Sequence, residues 1–254
     1  MQYLFILHNL FFLPDPHFVT IDACLPKIKM QMEDFIMFAN RHQAADRLAD
    51  ALQAYQGRHP LILAIPRGAV PMGLRLAQAL DGELDVVLVR KLRAPFNPEF
   101  AIGSIDESGW SYIADYAESV GGTPAYLARE KQAQLDTIRK RRAQYTPLRP
   151  PIDPAGRTVI VIDDGLATGA TMISALHALR AQQPAKLICA VPVAPPDTLE
   201  KIRSYADEVV CLSTPMQFQA VGQFYADFPQ VEDAEVEAIL KQATASAASP
   251  ARRP

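Results

Sequence analysis

Cysteine is scarce in this sequence, and its arrangement argues against two classes of protein. The 254 residues include three cysteines, Cys24, Cys189 and Cys211, which lie far apart along the chain. An odd number without zinc-ligand spacing argues against both a disulfide framework and a zinc site. Because the cysteines lie mostly in apolar runs, they are typical of reduced thiols in a protein core, which indicates a cytoplasmic protein.

A large excess of charge of either sign is also absent. The formal net charge is −3 and the sequence pI is about 6.0. A protein that coats nucleic acid gains its affinity from a basic surface, so we expect no nucleic-acid partner. With 49% apolar and 21% charged residues, the composition is that of a soluble globular protein, and the length predicts one main domain.

The chain begins with an apolar run that is too short to span a membrane. Tyr3–Leu13 covers about eleven residues, whereas a membrane helix needs about 20. No Lys or Arg precedes the run and no small-residue cleavage site follows it, which argues against a secretory signal. We therefore expect no membrane partner. Residues 1–37 are predicted to lie outside the core, with the native start at Met30, Met32 or Met37, just before the first convincing helix.

The most informative segment is an apolar strand followed by a polar loop at residues 159–171. A continuous β-branched run is typical of a strand buried on both faces, and ligands bind at the carboxyl edge of such parallel sheets. Two acids follow, Asp163 and Asp164, and then small and hydroxylated residues whose backbone N–H groups can approach an anion closely. The helix after the loop favours a phosphate at its N-terminus. The predicted phosphate loop comprises Gly165, Leu166, Ala167, Thr168, Gly169, Ala170 and Thr171.

The two acids restrict which ligand this loop can hold. They would repel a second phosphate, so their natural partners are hydroxyl donors or a hydrated divalent cation, and the ligand is a sugar phosphate. A Walker loop is excluded because no lysine follows Ala170. The spacing of the acids also argues against a phosphatase with an aspartyl nucleophile. Such an enzyme usually has the spacing Asp-x-Asp, whereas adjacent acids point to different sides of an extended chain. An ordinary turn with two solvated Asp residues remains an alternative.

Basic residues follow two other predicted strands. Arg67 comes just after the strand Leu61–Ile65, and a guanidinium there suits a diphosphate. Three cations, Arg90, Lys91 and Arg93, follow the strand predicted at Leu84–Val89. The alternatives are a plain turn arginine and surface charges.

Residues 163–171 resemble the phosphoribosyl pyrophosphate (PRPP) signature of the type I phosphoribosyltransferases, in which two acids precede a Thr-Gly-x-Thr loop. Gly165 stands where that family often has an aliphatic residue. The resemblance implies that Asp163 and Asp164 hold the ribose 2′ and 3′ hydroxyls and that residues 165–171 wrap the 5′-phosphate. Mg²⁺ would be held chiefly by the diphosphate of the ligand, with the two acids contributing through ribose hydroxyls or water.

The resemblance extends to the pyrophosphate side of the site. It implies a short pyrophosphate loop at Arg67, Gly68 and Ala69, with a cis peptide bond at Pro66–Arg67. It also implies a basic segment before a mobile hood loop that closes over the pyrophosphate. In that segment Arg90 and Lys91 would bind pyrophosphate, and Lys91 and Arg93 would neutralise the departing diphosphate during catalysis.

On the acceptor side, two residues resemble functional positions of particular members. Glu107 resembles a carboxylate that some adenine-type members carry in the hood, where it could act as a base. Phe218 resembles a phenylalanine that stacks on the base in hypoxanthine-type members. The alternatives are a solvated turn acid and a residue of a closing hydrophobic cluster.

The order of predicted elements indicates an α/β fold with a doubly wound, mainly parallel sheet flanked by helices. Residues 38–242 would form the domain, with a hood or lid insertion at about 90–145 between the second strand and the strand of the PRPP loop. The basic run Arg139–Arg142 ends a long helix and complements its dipole. The small, polar residues 243–254 are predicted to be a disordered tail.

Together these features predict a Mg²⁺-dependent phosphoribosyltransferase that moves the phosphoribosyl group from PRPP to a nitrogenous acceptor, such as a nucleobase, and releases pyrophosphate. One alternative is a non-catalytic PRPP- or nucleotide-binding regulator of the same fold, in which Arg139–Arg142 would contact a partner or RNA. Another is a sugar-phosphate hydrolase. The sequence leaves the acceptor and the oligomeric state open, with a homodimer as one candidate.

Overall fold

The computed structural model describes residues 37–248, which form two sheets and the helices around them. The strands are β1 Leu61–Ala64, β2 Glu83–Val86, β3 Val89–Ala94, β4 Asn97–Asp106, β5 Ser111–Ile113, β6 Thr158–Ile162, β7 Lys186–Val193 and β8 Glu208–Ser213. The α-helices are α1 Arg41–Ala51, α2 Val70–Ala79, α3 Pro124–Tyr145, α4 Ala170–Arg180, α5 Pro196–Ile202 and α6 Asp233–Ala248. Short 3₁₀ helices occupy Gln53–Tyr55, Glu118–Val120 and Val221–Phe224.

The main sheet is parallel throughout and has the strand order β2-β1-β6-β7-β8. From β1 the chain returns through α2 to β2 on one side, and from β6 it returns through α4 to β7 on the other side. The loops after β1 and β6 therefore diverge from a topological switch point. Open α/β sheets bind ligands in the crevice at such a point. The predicted pyrophosphate loop and the predicted phosphate loop both start there.

Both faces of this sheet are covered. Successive apolar residues along each strand pack into cores on opposite faces. Ile62 and Ile160 pack into the core that includes α1, α2 and α6. Leu63 and Val161 pack into the opposite core, which includes α4 and α5. Because both faces are covered, the central strands are uniformly apolar, as expected for a parallel sheet. The fold class predicted from the sequence is confirmed.

The segment between β2 and β6 forms a second sheet, antiparallel, in the order β3-β4-β5, with the long helix α3 packed beside it. The N-cap residue Thr123 starts α3 by accepting a hydrogen bond from the N–H of Tyr126 at 3.3 Å. The hydroxyl of Ser104 in β4 lies 2.6 Å from the carbonyl oxygen of Ala170 and 2.6 Å from the hydroxyl of Ser174. The second sheet is thus joined to the first turn of α4.

Two sequence predictions about elements need correction. The strand predicted at Leu84–Val89 is two strands, because β2 ends at Val86 and Val89 begins the antiparallel β3. The basic residues 90–93 therefore lie inside a strand rather than after one. Disorder was predicted for residues 243–254, but 243–248 belong to α6. Ala243 is buried there and the Thr244 hydroxyl donates to the carbonyl of Leu148 at 2.8 Å, contacts that composition alone could not show.

Some predictions concern residues outside 37–248. These are the extension before Met37, the proposed starts at Met30 and Met32, and the tail after Ala248.

Candidate active site

The two acids after β6 lie at the switch point and are poorly solvated. Burial raises the pKa of Asp163 well above its usual value, and the neighbouring Asp164 carboxylate raises it further. Burial also raises the pKa of Asp164, while Arg41 opposes that shift. Two adjacent, desolvated carboxylates repel each other. They therefore suit a ligand whose hydroxyl groups donate hydrogen bonds, or a hydrated divalent cation.

Arg41, the first residue of α1, holds one of these acids. Its Nε and Nη2 atoms lie 2.9 and 2.8 Å from Oδ2 of Asp164, and its Nη1 donates to the carbonyl of Pro229 at 2.6 Å. The guanidinium stacks 3.7 Å from the ring centroid of Phe228. Nearby, the hydroxyl of Tyr225 donates to the backbone carbonyl of Asp164 at 2.6 Å. The first helix and the C-terminal part of the domain are thereby joined to the acid pair.

The predicted phosphate loop runs from β6 to the N-terminus of α4. Gly165 has a φ of +154°, and a Cβ atom there would lie 2.6 Å from Cγ1 of Val221. The side chain of Val221 therefore occupies the space next to Gly165. At this position the type I phosphoribosyltransferases, which the segment resembles, often have an aliphatic residue. Gly169 has a φ of +75° and precedes the first helical residue, Ala170, while Thr168 is exposed. The loop presents backbone N–H groups and a hydroxyl at a helix N-terminus, an arrangement that suits a phosphate.

The loop after β1 approaches the acids closely. The peptide bond Pro66–Arg67 is cis, which confirms that prediction. A Cβ atom on Gly68 would lie 2.1 Å from Oδ2 of Asp164, so only glycine allows this approach. The Arg67 guanidinium lies 3.4 Å from Glu232 and 3.5 Å from Asp233 at the start of α6. Both acids are more than half exposed, so these pairs contribute little and can exchange for a diphosphate.

The three cations of β3 have different surroundings. The positive charge of Lys91 lowers the pKa of both Asp163 and Asp164, so its ammonium group acts on the acid pair. Arg90 donates to the side chain of Gln134 in α3 at 2.9 Å. Burial and the nearby guanidinium groups of other arginines lower its pKa.

Arg93, which we predicted to act in catalysis, is bound elsewhere. Its Nε lies 2.9 Å from Oε1 of Glu130, a buried acid of α3. The β3–β4 register is irregular on both sides of Arg93. Of the three predicted cations, Lys91 is thus the one whose charge acts on both acids, while the side chains of Arg90 and Arg93 contact α3.

Two predicted acceptor-side residues also have other partners. Glu107 lies on a turn of the second sheet and makes a two-point ion pair with Arg142, one contact of which measures 2.8 Å. The basic run that contains Arg142 is likewise paired in part, because Arg141 lies 3.9 Å from Asp233. Phe218 packs against Phe224, with ring centroids 5.0 Å apart. The alternative of a closing hydrophobic cluster describes Phe218 better than base stacking.

A cavity of about 390 Å³ opens between these segments, and we call it the first cavity. It is lined by Arg41, Arg67, Gly68, Asp164, Phe228, Pro229, Gln230 and Val231. It thus joins the pyrophosphate loop, one acid and the C-terminal wall 228–231. Sequence reasoning missed Arg41 and that wall. The signal for Arg41 was its position on the apolar face of α1, one turn before Ala45 and two before Leu48.

Within residues 37–248, no helix is long and apolar enough to cross a membrane. In the same part of the chain, no group of three or more His, Cys, Asp or Glu side chains is arranged to hold a metal ion. The acid pair has the negative charge that suits a cation arriving with a ligand.

Comparison with known proteins identifies the family. A model of the phosphoribosyl transferase domain matches residues 36–228. Two Mycobacterium tuberculosis proteins, from strains CDC 1551 and H37Rv, are 40% identical to this chain over 210 residues, which is 82% of it. Both bear the name "Putative phosphoribosyl transferase". The chain belongs to the phosphoribosyltransferase family, as the resemblance of its PRPP signature predicted.

A solved structure extends the likeness to three dimensions. The crystal structure of TT1426 from Thermus thermophilus is 44% identical, with a TM-score of 0.68, and the match covers 82% of this chain and 99% of that one. The chain spans about half the length of the mycobacterial relatives, since the match covers 47% of each.

Proposed function

We propose that this protein binds PRPP together with Mg²⁺, transfers the phosphoribosyl group to a nitrogenous acceptor and releases pyrophosphate. The observation that carries the proposal is the meeting of three parts at the switch point. A loop suited to phosphate, a desolvated acid pair and a pyrophosphate-type loop lie together there, with Gly68 against Asp164. A sugar that carries a phosphate at one end and a diphosphate at the other matches these parts.

Each part has a role in the proposed complex. Residues 165–171 bind the 5′-phosphate at the N-terminus of α4. Asp163 and Asp164 accept hydrogen bonds from the ribose 2′ and 3′ hydroxyls. Arg67 and Lys91 bind the diphosphate, for which Arg67 exchanges its exposed acid partners. Mg²⁺, when bound, neutralises part of the charge on the diphosphate, and the acids contribute through ribose hydroxyls or water.

The proposed reaction is a displacement at the anomeric carbon of the ribose. The bond from that carbon to the diphosphate oxygen breaks, and its electron pair leaves with pyrophosphate. The acceptor nitrogen forms the new bond with its lone pair, and its proton passes to solvent. The cations of Arg67 and Lys91 stabilise the charge that grows on the leaving group. The acceptor enters from the first cavity beside the wall 228–231. A nucleobase is the proposed acceptor, and a cytoplasmic homodimer stays a prediction from the sequence.

Two measurements test this function. Calorimetry with Mg²⁺ and PRPP measures binding, and an assay for released pyrophosphate across a panel of nucleobases measures turnover. We expect both, and we expect Asp163→Asn combined with Asp164→Asn to abolish both. Asp153→Asn is the matched control, because that exposed acid serves a local turn by accepting the N–H of Ala155.

The other outcomes separate the alternatives. Binding of PRPP without pyrophosphate release across the panel supports a regulatory PRPP-binding protein instead. Release of inorganic phosphate supports a sugar-phosphate hydrolase. Unchanged PRPP binding in the double Asp variant contradicts both the transferase and the regulator.

A further inference from the structure

The contact between Arg41 and Asp164 uses the two carboxylate oxygens unequally. Both guanidinium nitrogens that contact Asp164 do so at Oδ2, at 2.8 and 2.9 Å. The backbone of Gly68 lies against the same oxygen. Among the described residues, no hydrogen bond from another residue reaches Oδ1. One oxygen of this acid is therefore fixed by the protein, while the other is left for a ligand.

The partners of Arg41 explain why an arginine is needed for this task. The side chain is 10% exposed, and its guanidinium carbon lies 3.7 Å from the ring centroid of Phe228 while its nitrogens contact Asp164 and Pro229. A planar guanidinium can stack and donate in several directions at once, whereas a lysine ammonium cannot. The site thus has a rigid support built from helix α1 and the wall 228–231.

We infer that Arg41 is a positioning residue that fixes Oδ2 of Asp164 and so presents Oδ1 to a ribose hydroxyl of PRPP. The inference rests on the proposed function and adds a residue outside the family motifs. Groups that fix a binding side chain in its productive geometry commonly control affinity without touching the ligand. Arg41 would also hold the wall 228–231 in register with the acid, through Phe228 and Pro229.

The test is a double-mutant cycle in which the dissociation constant of Mg²⁺-PRPP is measured by calorimetry. The proteins are the full-length chain, Arg41→Met, Arg41→Lys, Asp164→Asn and the combination of Arg41→Met with Asp164→Asn. Charge-assisted hydrogen bonds contribute enough to predict about a tenfold to hundredfold loss of affinity in Arg41→Met. We expect Arg41→Lys to recover less than half of that loss on a logarithmic scale, because it keeps the charge but not the geometry.

The cycle separates positioning from simple packing. If Arg41 acts through Asp164, Arg41→Met changes the affinity less than about twofold in the Asp164→Asn background. The matched control is Arg47→Met on the same helix, since Arg47 also lies over an aromatic ring, that of Phe38, at 5.4 Å. We expect this control to bind PRPP within about twofold of the parent.

Several results would overturn the inference. Parent-like affinity in Arg41→Met, or an equal loss in both backgrounds, makes Arg41 a packing residue while the proposed function stands. A full recovery in Arg41→Lys leaves charge rather than positioning as its role. If the parent protein itself fails to bind PRPP, the proposed function falls and this inference with it. If Arg41→Met fails to fold, Arg41→Lys is compared with the parent instead. A loss of affinity in Arg41→Lys then supports the inference, and parent-like affinity overturns it.

Discussion

Two cavities of similar size in the described part of the chain differ in character. The first cavity lies at the switch point, and a second cavity of about 390 Å³ lies between the second sheet, the end of α3 and α4. In the second cavity Glu107 and Arg142 pair with each other through two contacts, and Asp85 accepts hydrogen bonds from two backbone N–H groups. In the first cavity, Arg67 has long contacts to exposed acids. The two cavities therefore differ in how far their charges are paired within the protein, although Nη1 of Arg142 in the second cavity is also buried without a hydrogen-bond partner.

The largest effect on PRPP affinity is expected when a methyl group is added at Gly68, which lines the first cavity. In Gly68→Ala the new Cβ would overlap Oδ2 of Asp164, so the loop or the acid must move. Overpacking of this kind predicts about a tenfold to hundredfold loss of PRPP affinity by calorimetry. Gly156→Ala is the control away from the site, because no atom lies within 4 Å of its Cβ position and its φ of +67° makes the strain a local one. Equal affinities for the two variants would show that the close approach is not needed for binding.

Removing the cation of β3 that acts on the acid pair should have the next largest effect. Lys91→Met takes away the ammonium group that acts on both acids and that we propose binds the diphosphate. We expect the PRPP affinity to fall about tenfold, with a weaker salt dependence than in the parent. Lys201→Met, at an exposed position of α5, is the control. A loss of the same size in that control would point to a general effect of charge.

The acid pair at the switch point should be a source of instability. The pKa of Asp163 is higher in the folded protein than its usual value, so the folded state binds the proton more tightly. Stability is therefore lost as the pH rises through the window above the unfolded pKa. Asp163→Asn should raise the free energy of unfolding at pH 7, with the gain shrinking as the pH falls towards about 4.

Urea unfolding at several pH values measures this effect. A variant that is less stable than the parent at pH 7 would mean that the Asp163 carboxylate is stabilised by its surroundings. Asp153→Asn serves again as the exposed control.

The smallest effect is expected in the second cavity. Glu107→Gln weakens the pair with Arg142 but leaves the first cavity intact, so PRPP affinity should stay within about twofold of the parent. Both partners are partly exposed, and the loss of stability should be about 1 kcal/mol or less. Pyrophosphate release is the decisive measurement. A drop of about tenfold in turnover would show that Glu107 acts on the acceptor, and the contrast between the two cavities would no longer hold.

Local sequence signals were enough for the central part of the fold and site. The β-branched run before Asp163 and the small residues after it predicted β6, the loop and α4, because strand burial and helix starts are decided within a few residues. The position of Arg67 after β1 predicted its place at the same edge. These predictions depend on chain order and on the rule that parallel strands end at one edge.

The partners of the other predicted site residues depend on contacts between distant segments. Nothing near Glu107 shows that Arg142, 35 residues later, will pair with it. Likewise, Arg93 pairs with Glu130 and lies where the pairing of β3 with β4 is irregular, which a strand pattern does not reveal. Arg41 did leave a signal, as a charged residue on an apolar helix face. Reading it as functional required knowing that Asp164 lies opposite.

The joint between the second sheet and α4 also has a practical consequence. Trp110 is the one tryptophan of the chain, and its indole stacks on the imidazole of His177 at 3.6 Å between centroids, with the planes 8° apart. His177 belongs to the helix that begins at the phosphate loop. Ligand binding that shifts this helix relative to the hairpin would alter the environment of a single fluorophore. The protein thus carries its own optical reporter, and its intrinsic emission can follow binding without a label.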